Sequence, residues 1–505
     1  MNKNTAYAMK VLLSLFLSLT IASAFSAADS FAQKKLRTIT LDESIELAKH
    51  QSADALNAKQ LFRSSFWEFR SFRATYLPGL SIDGTIPDVQ TMFQKYTYPD
   101  GSVTYVHQQN TTYTANINLN QKIGITGGTV FLRTGLQRLD NHIDSTVTSY
   151  LSTPINIGYT QPFFQYNPYR WDRKLEPLKY DQAKKKYIED IEQLSMTMTN
   201  YFFALLQSQV DKEIALTNLK NYDTLYHIAK GRYQLGKIAE NDLLQLELDF
   251  LKAQAAVDNA NLALDNALFR FKSYLRIKDT AALELVPPAD IRFFPINPTR
   301  AVEEASKNTS AVLDFQRRLL EAARDVNKAK MDGRFDANLT AVFGLTQSAS
   351  NVPDAYKKPL DQQQLGLQFS VPIVDWGVAR GKIKMAQSQE EIVKNSVEQE
   401  LIDFRRNIYL KVVQFNMQER QIMIAAKSDT VASKSYDVTK GRYLIGKINS
   451  ILDLNNAQIE TDNARKGYYN ALQTYWQGYY EIRKLTLYDF RKDEPLQFNI
   501  KDIKL

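Results

Sequence analysis

Cysteine is absent from all 505 residues, which excludes disulfides and also excludes a lipid-modified cysteine at a processed amino terminus. Histidine is nearly as scarce. His50, His107, His142 and His227 stand apart, with no second histidine or paired carboxylate at ligand spacing, so no metal site is expected. No phosphate-binding glycine loop and no Gly-x-Ser-x-Gly elbow occurs, and acidic pairs such as Glu303-Glu304 and Glu390-Glu391 read as solvated helix faces. No catalytic set and no cofactor are expected, and the chain is not read as an enzyme. Beyond the amino terminus no stretch reaches eighteen apolar residues, which excludes a transmembrane helix. Any membrane contact is therefore expected through a β-barrel. Charge of one sign is also lacking in excess: 63 basic residues face 55 acidic ones, spread along helical segments rather than gathered into a stripe with aromatics, and a nucleic-acid partner is not expected.

What is present begins with a leader. Lys3 and Lys10 precede an apolar run from Val11 to Ile21, and small residues follow to Ala32. Residues 1–32 thus read as a secretory signal peptide, with Ala24 and Ala28 as other cleavage points. Its removal leaves 61 basic and 54 acidic side chains.

One octet occurs twice, as Gly231-Arg232-Tyr233-Gln234-Leu235-Gly236-Lys237-Ile238 and Gly441-Arg442-Tyr443-Leu444-Ile445-Gly446-Lys447-Ile448, 210 residues apart. The same offset places Ile157 to Phe164 on Leu367 to Val374 without a gap. A spacing kept over some eighty residues marks a duplicated unit, assigned here to residues 33–288 and 289–505. Pro287-Pro288, Pro295 and Pro298 mark the linker.

Each unit opens with a helix. Thr40 and Glu43 form a capping box, and the first helix is expected to run to about Tyr76. Asn297-Pro298 starts its counterpart, with Val302 and Ala305 matching Ile45 and Ala48 at an offset of 257. Strand patterns follow: Leu80 to Ile86, Tyr113 to Ile123, Thr129 to Leu139 and Pro154 to Phe164 in the first unit, Phe335 to Gln347 and Gln364 to Val374 in the second. The last two alternate cleanly, with Phe335, Ala337, Leu339, Ala341, Phe343 and Leu345 on one face and Leu365, Leu367, Phe369, Val371 and Ile373 on another. Aromatics flank them, as suits outer-membrane strands.

Glycine then disappears up to Gly231 and, in the second unit, from Lys382 to Gly441. Some sixty helical residues at about 1.5 Å each make a rod of roughly 90–100 Å, capped by Asn167 before Pro168 in one unit and by Asp375 in the other. Pro177 has Gln387 opposite it, so a kink is expected in the first rod only. Ala183, Tyr187, Ile191, Leu194, Met198, Phe202 and Leu205 match Val393, Val397, Leu401, Phe404, Ile408, Val412 and Phe415. That apolar stripe repeats at about 3.67 residues per turn, the period of nearly straight helices that pack side by side. Each rod ends at the octet, where Gly236 and Gly446 suit a left-handed turn, and returning helices are expected near Asn241 and Ser450.

Over essentially the whole mature length this order, together with the Tyr-x-x-Gly tips and the Val371-Pro372-Ile373-Val374-Asp375-Trp376-Gly377 strand exit, resembles the TolC-like outer-membrane efflux proteins. The resemblance implies an α+β membrane fold: a homotrimeric outer-membrane β-barrel, twelve-stranded with two hairpins per subunit, continued by a long periplasmic α-helical barrel, with two internal repeats per chain. This chain departs by offering four strands in its first unit; Thr129 to Leu139 and Pro154 to Phe164 are assigned to the barrel, and Leu80 to Ile123 is left as an insertion of open position. Independently, four strands cannot close, and open edges are not tolerated in lipid.

The implied function is a passive export duct from periplasm to outside, in the outer membrane, working with a periplasmic adaptor protein and an inner-membrane pump in a tripartite efflux or type I secretion system; drug, metal and polypeptide cargo stay open. An exported coiled-coil scaffold without channel activity is the alternative. By the same resemblance Gly236, Lys237, Ile238, Gly446, Lys447 and Ile448 are expected to touch the adaptor. Tyr233, Asp242, Tyr443 and Asp453 are expected to line the tunnel aperture, although Asp453 falls one residue late and Asn456 stands where the family has a second aspartate.

Overall fold

The computed structural model describes residues 37–142, 145–278, 283–288, 291–447 and 451–499; the expected leader, Ile448 and Ser450 lie outside them. The elements run β1 (Arg37–Ile39), α1 (Leu41–Gln51), α2 (Ala53–Ala74), β2 (Gly79–Thr97), β3 (Val103–Lys122), β4 (Thr129–Asn141), β5 (Val147–Phe163), α3 (Pro168–Gln234), α4 (Glu240–Tyr274) and β6 (Leu283–Leu285). The second half continues with α5 (Pro298–Asn308), α6 (Ser310–Asp332), β7 (Asp336–Ala349), a 3-10 turn (Asp354–Tyr356), β8 (Leu360–Ser370), α7 (Val378–Leu444), α8 (Ile451–Thr486), β9 (Tyr488–Asp489) and β10 (Glu494–Pro495). They form two compact units. One holds the residues up to Leu56 with Ile191–Pro295 and Gln414–Glu481; the other holds Asn57–Asp190, Ile296–Val413 and the residues from Ile482 on.

The capping box at Thr40 is formed in both directions: Glu43 N–H donates to Thr40 Oγ1 at 3.3 Å and Thr40 N–H to Glu43 Oε2 at 2.9 Å. The helix does not, however, run unbroken to Tyr76. It stops at Ser52, whose backbone is extended (φ −66°, ψ 155°) and whose Oγ accepts from Ala55 N–H at 3.2 Å, so the serine caps a second helix. Thr309 does the corresponding job of ending α5, with extended backbone and its hydroxyl donating to Ala305 O at 2.8 Å. Ser52 and Thr309 are 257 residues apart, so the break belongs to the duplicated unit. Neither Gly nor Pro marks it; a buried hydroxyl that competes for backbone partners is enough.

All six long strands form one antiparallel sheet in the order β2-β3-β4-β5-β7-β8. The stretch left unplaced by sequence is therefore part of that sheet, with β3 paired to β4 over Asn110–Lys122. Its strands are longer than the alternation suggested, and the turn between them falls at Pro99-Asp100-Gly101, where Gly101 has φ 84°. β4 runs on to Asn141, past the expected Leu139, and β5 begins at Val147, ahead of the expected Pro154, while β8 starts and ends four residues before the expected Gln364 to Val374. Pro372, which has no N–H to give a ladder, helps to place Val371 to Val374 outside the strand.

The two faces of this sheet differ in chemistry. One rung of paired residues reads Leu80, Leu119, Leu132, Ile157, Phe343 across five strands. The next reads Ser81, Asn118, Arg133, Asn156, Gly344, Gln362 across all six. On the polar face Arg133 Nε donates to Asn118 Oδ1 at 2.7 Å, Asn118 Nδ2 donates to Asp83, and Asn156 Nδ2 donates to Gln362 Oε1 at 3.0 Å. The last bond passes over Gly344, where any Cβ would collide with Asn156. On the other face the large apolar side chains lie in the open: Leu365 is 79% and Phe369 65% exposed.

α3 and α7 have 67 residues each and are matched at both ends by the 210-residue offset. At about 1.5 Å per residue each is roughly 100 Å long. Asn167 Oδ1 accepts from Arg170 N–H at 3.3 Å, and Asp375 accepts from Gly377 N–H and Ala379 N–H at 2.9 and 2.8 Å, the expected caps. α3 continues through Pro177. The 3.67-residue stripe is where both rods are covered: Leu194, Met198, Phe202, Leu205, Ile408, Val412 and Phe415 are buried.

Within the first unit β1 pairs in parallel with β6, and Gln209 of α3 clamps β6 by donating to Leu283 O (2.8 Å) and accepting from Leu285 N–H (3.2 Å). Within the second, Phe62 packs against Tyr180, Tyr187 and Phe498, and Arg300 bonds Tyr488 and Asp493 of the β9–β10 segment. Among the described residues no helix is long and apolar enough to cross a membrane.

Candidate functional site

The tips are built alike. Gly236 and Gly446 have φ 65° and 73°, the left-handed region that a side chain disfavours. Gly236 N–H reaches Tyr233 O (2.8 Å) and Lys237 N–H reaches Arg232 O (2.9 Å); Gly446 and Lys447 repeat this on Tyr443 O (3.1 Å) and Arg442 O (2.9 Å). This is the paired closure of a Schellman turn, which satisfies the last carbonyls of a long helix. α4 then starts at Glu240 after Ala239, which offers no side-chain cap, and α8 starts at Ile451. Their first turns carry the acids Glu240, Asp242 and Asp453, favoured there by the helix dipole.

The surroundings of the two tips differ. Tyr443 is 2% exposed and sits in an apolar cluster with Leu225, Ala229, Leu246, Tyr436, Ile451 and Leu454, whereas its repeat counterpart Tyr233 is 40% exposed. Arg232 accounts for part of that difference. Its guanidinium donates to Tyr443 O at 3.3 Å and to Leu444 O at 2.7 Å and lies 5.4 Å from the Tyr443 ring centre. The first repeat thus supplies the cation that covers the carbonyl end of the second repeat's long helix. Burial, with Asp242 nearby, pushes the Tyr443 phenol up from its ordinary value, and Arg232 opposes that.

Of the residues expected at the adaptor face, Gly236, Lys237, Gly446 and Lys447 are exposed, Ile238 is half-buried against the apolar cluster, and Ile448 lies outside the described residues. Of those expected at the aperture, Tyr233 and Asp453 are exposed, Asp242 is half-buried and Tyr443 is interior. The exposed apolar pair Leu235 and Ile445 flanks the two turn glycines.

Behind the tips two polar groups tie the helices together. Asp249 accepts from Gln245 (3.1 Å) and from Asn455 Nδ2 (2.8 Å), and Tyr222 donates to Asn455 Oδ1 at 3.1 Å. Asp462 accepts from Asn218 (2.7 Å) and Gln458 (3.0 Å), and burial raises its carboxyl above the ordinary range. Sequence reasoning missed Arg232 and these carboxylates. The octet prints arginine in both copies, and only the packing distinguishes the one that meets carbonyls.

A family model described as outer membrane efflux protein matches residues 129–275 and 308–486. Similar solved structures include the CmeC outer membrane channel of Campylobacter jejuni, at 15% identity and TM-score 0.64, with 92% of this chain and 88% of that one covered. VceC of Vibrio cholerae matches at 12% and 0.62, with 90% and 97% covered, and MtrE of Neisseria gonorrhoeae, an outer membrane channel in its open state, at 12% and 0.60, with 91% and 90% covered. No curated protein sequence matches the chain. The fold class is that of these channels, α+β with two internal repeats, each giving strands to the sheet and a long helical hairpin. With the family model matching more than half of its length, the chain belongs to the outer membrane efflux protein family.

Proposed function

We propose that the chain is one subunit of a homotrimeric outer-membrane duct that passes substrates passively from the periplasm to the outside. The observation that carries this reading is the inverted sheet. Its apolar rung is exposed at Leu80, Ile157 and Phe343, its polar rung carries side-chain hydrogen bonds between strands, and among the described residues β2 and β8 leave both edges open. A sheet in water buries the apolar face; a sheet in lipid exposes it and must close into a barrel. Further copies of the chain supply the closure, and the helical hairpins extend into the periplasm.

In this reading the tips, with Lys237, Ile238, Lys447 and Ile448, meet a periplasmic adaptor that links the duct to an inner-membrane pump. Residues 33–288 and 289–505 are its two repeats, and residues 1–32 direct export. Tyr233, Asp242, Tyr443 and Asp453 belong to the narrow end, with Tyr443 holding the wall from within. The same duct serves tripartite efflux or type I secretion. The test is direct: purified protein should run as a detergent-stable trimer and conduct ions across a planar bilayer. A monomer without conductance fits an exported scaffold and sinks the reading.

A further inference from the structure

We propose that β2 and β8 are the seam between copies of this chain, so that each copy gives six strands, not four, to the shared barrel. The inference rests on the trimeric reading above and concerns which edges meet.

The family match begins at Thr129, the first residue of β4, and takes in β4, β5, β7 and β8. Were those four strands the whole contribution, β4 would be an outer edge, open to a neighbouring copy's β8. It is not open. β3 pairs with it continuously from Lys122↔Thr129 to Asn110↔Asn141, and β2 pairs with β3. The N–H and C=O groups that a second copy would need on β4 are already used, and the free edge has moved out to β2.

The added strands carry the chemistry of the strands they join. Leu80 and Ile82 of β2 and Ala115, Ile117 and Leu119 of β3 continue the apolar face of Leu132 and Leu136, while Ser81, Asp83, Asn116 and Asn118 continue the polar face. The Asp83–Asn118–Arg133 chain of hydrogen bonds crosses all three strands on that polar side. A hairpin laid on the outside of a finished barrel would have no reason to keep this alternation in register with β4. The two-faced pattern ends at Thr85, where the β2–β3 register shifts before Asp88, and the β3–β4 ladder ends at Asn110↔Asn141, just before the bond from His142 N–H to Gln109 O at 2.8 Å. The proximal half of the hairpin therefore belongs to the barrel wall, and the distal half, tipped by Gly101, stands beyond it.

Direction agrees as well. Six strands alternate along the sheet, so β8 runs opposite to β2, and a neighbour's β2 meets β8 antiparallel, as every other pair in the sheet does. Six strands from each of three copies make eighteen, a number that leaves an aqueous channel. At equal tilt the wall is about 1.5 times as wide as one of twelve strands, because diameter grows roughly linearly with strand number.

The absence of cysteine allows a clean test in intact outer membranes. Single cysteines at Ser81 or Asp83 are combined with single cysteines at Gln362 or Gln364, and in a second set Arg133 or Gln137 is combined with the same two β8 positions. Oxidation should join subunits of the trimer through the β2–β8 pairs and not through the β4–β8 pairs. Trimers joined through β4–β8, or trimers that no β2–β8 pair joins, overturn the six-strand seam and leave the duct intact. A chain that stays monomeric overturns both.

Discussion

The Arg232 guanidinium bonds the carbonyl oxygens of Tyr443 and Leu444 and stacks 5.4 Å from the Tyr443 ring centre, so one repeat closes the end of the other repeat's long helix. Two hydrogen bonds from a charged donor and a cation–π contact are lost together in Arg232→Ala. Exchange of the amides at 443–447 should then quicken by roughly tenfold, about 1.4 kcal/mol, as measured by hydrogen exchange. Arg442→Ala, at the exposed counterpart, should leave those amides within about twofold of the parent. Equal effects of the two substitutions would remove the asymmetry from the tip.

Asp462 gives the pH dependence. Burial raises its folded-state carboxyl above the ordinary range, so the folded chain holds its proton more tightly than the unfolded chain. Stability is lost as pH rises from the ordinary carboxylate range through the raised value. Asp462→Asn removes that loss, and Asn218, whose Oδ1 is buried without a partner, can turn to accept from the new amide. The melting temperature of the helical circular dichroism signal should rise at pH 8 and stay unchanged at pH 3. A variant that melts lower at pH 8 would show that the carboxylate is stabilising when charged.

Much of this architecture was legible in the chain. The 210-residue offset located α3 and α7 and both turn glycines, because a long rod without glycine must stop where a left-handed residue is supplied. The 3.67-residue stripe fell on the buried line for the same reason: helical periodicity reports the covered face whatever covers it. The misses were those that depend on competition between partners. Ser52 and Thr309 break helices through a single hydroxyl, which composition does not reveal. The pairing of β3 with β4, a hairpin closed at Lys122↔Thr129, is something alternation alone does not identify, since period two tells which residues share a face and not which strand lies alongside. The different settings of Tyr233 and Tyr443 likewise follow from packing, in part that of Arg232, while the two octets are nearly the same.

The apolar face makes a labelling prediction. With single cysteines along β8, positions Leu365, Leu367 and Phe369 should react with an apolar, membrane-partitioned maleimide, and Gln364, Gly366 and Gln368 with a charged one entering from water. β2 should show the same alternation at Leu80 and Ile82 against Ser81 and Asp83. Uniform labelling by the charged reagent in membranes would mean that this face is not in lipid.

Adaptor docking at the tips is tested by charge. Lys237 and Lys447 follow the turn glycines and are exposed, and neither is needed for the turn, which is closed by backbone groups. Lys237→Glu with Lys447→Glu inverts the charge and keeps the fold. Crosslinking to a periplasmic adaptor should fall by tenfold or more, the scale of one or two lost charge contacts, with trimer yield unchanged. Crosslinking and export at the parent's level would exclude a charged contact there.

The aperture is tested by its carboxylates. Asp242 and Asp453 occupy the first turns of the two returning helices, directly after the tips, and three copies would bring each acid near its symmetry mates. Rings of carboxylates at a constriction favour cations and bind multivalent ones. Asp453 is exposed and Asp242 half-buried beside Tyr443, so Asp453→Asn should reduce cation selectivity and relieve block by multivalent cations more than Asp242→Asn does. Ion selectivity from reversal potentials in planar bilayers, at low salt where exposed charges are least screened, decides this. Selectivity and block equal to the parent's in both variants would place the narrowest point elsewhere and leave these acids as ordinary first-turn residues held by the helix dipole.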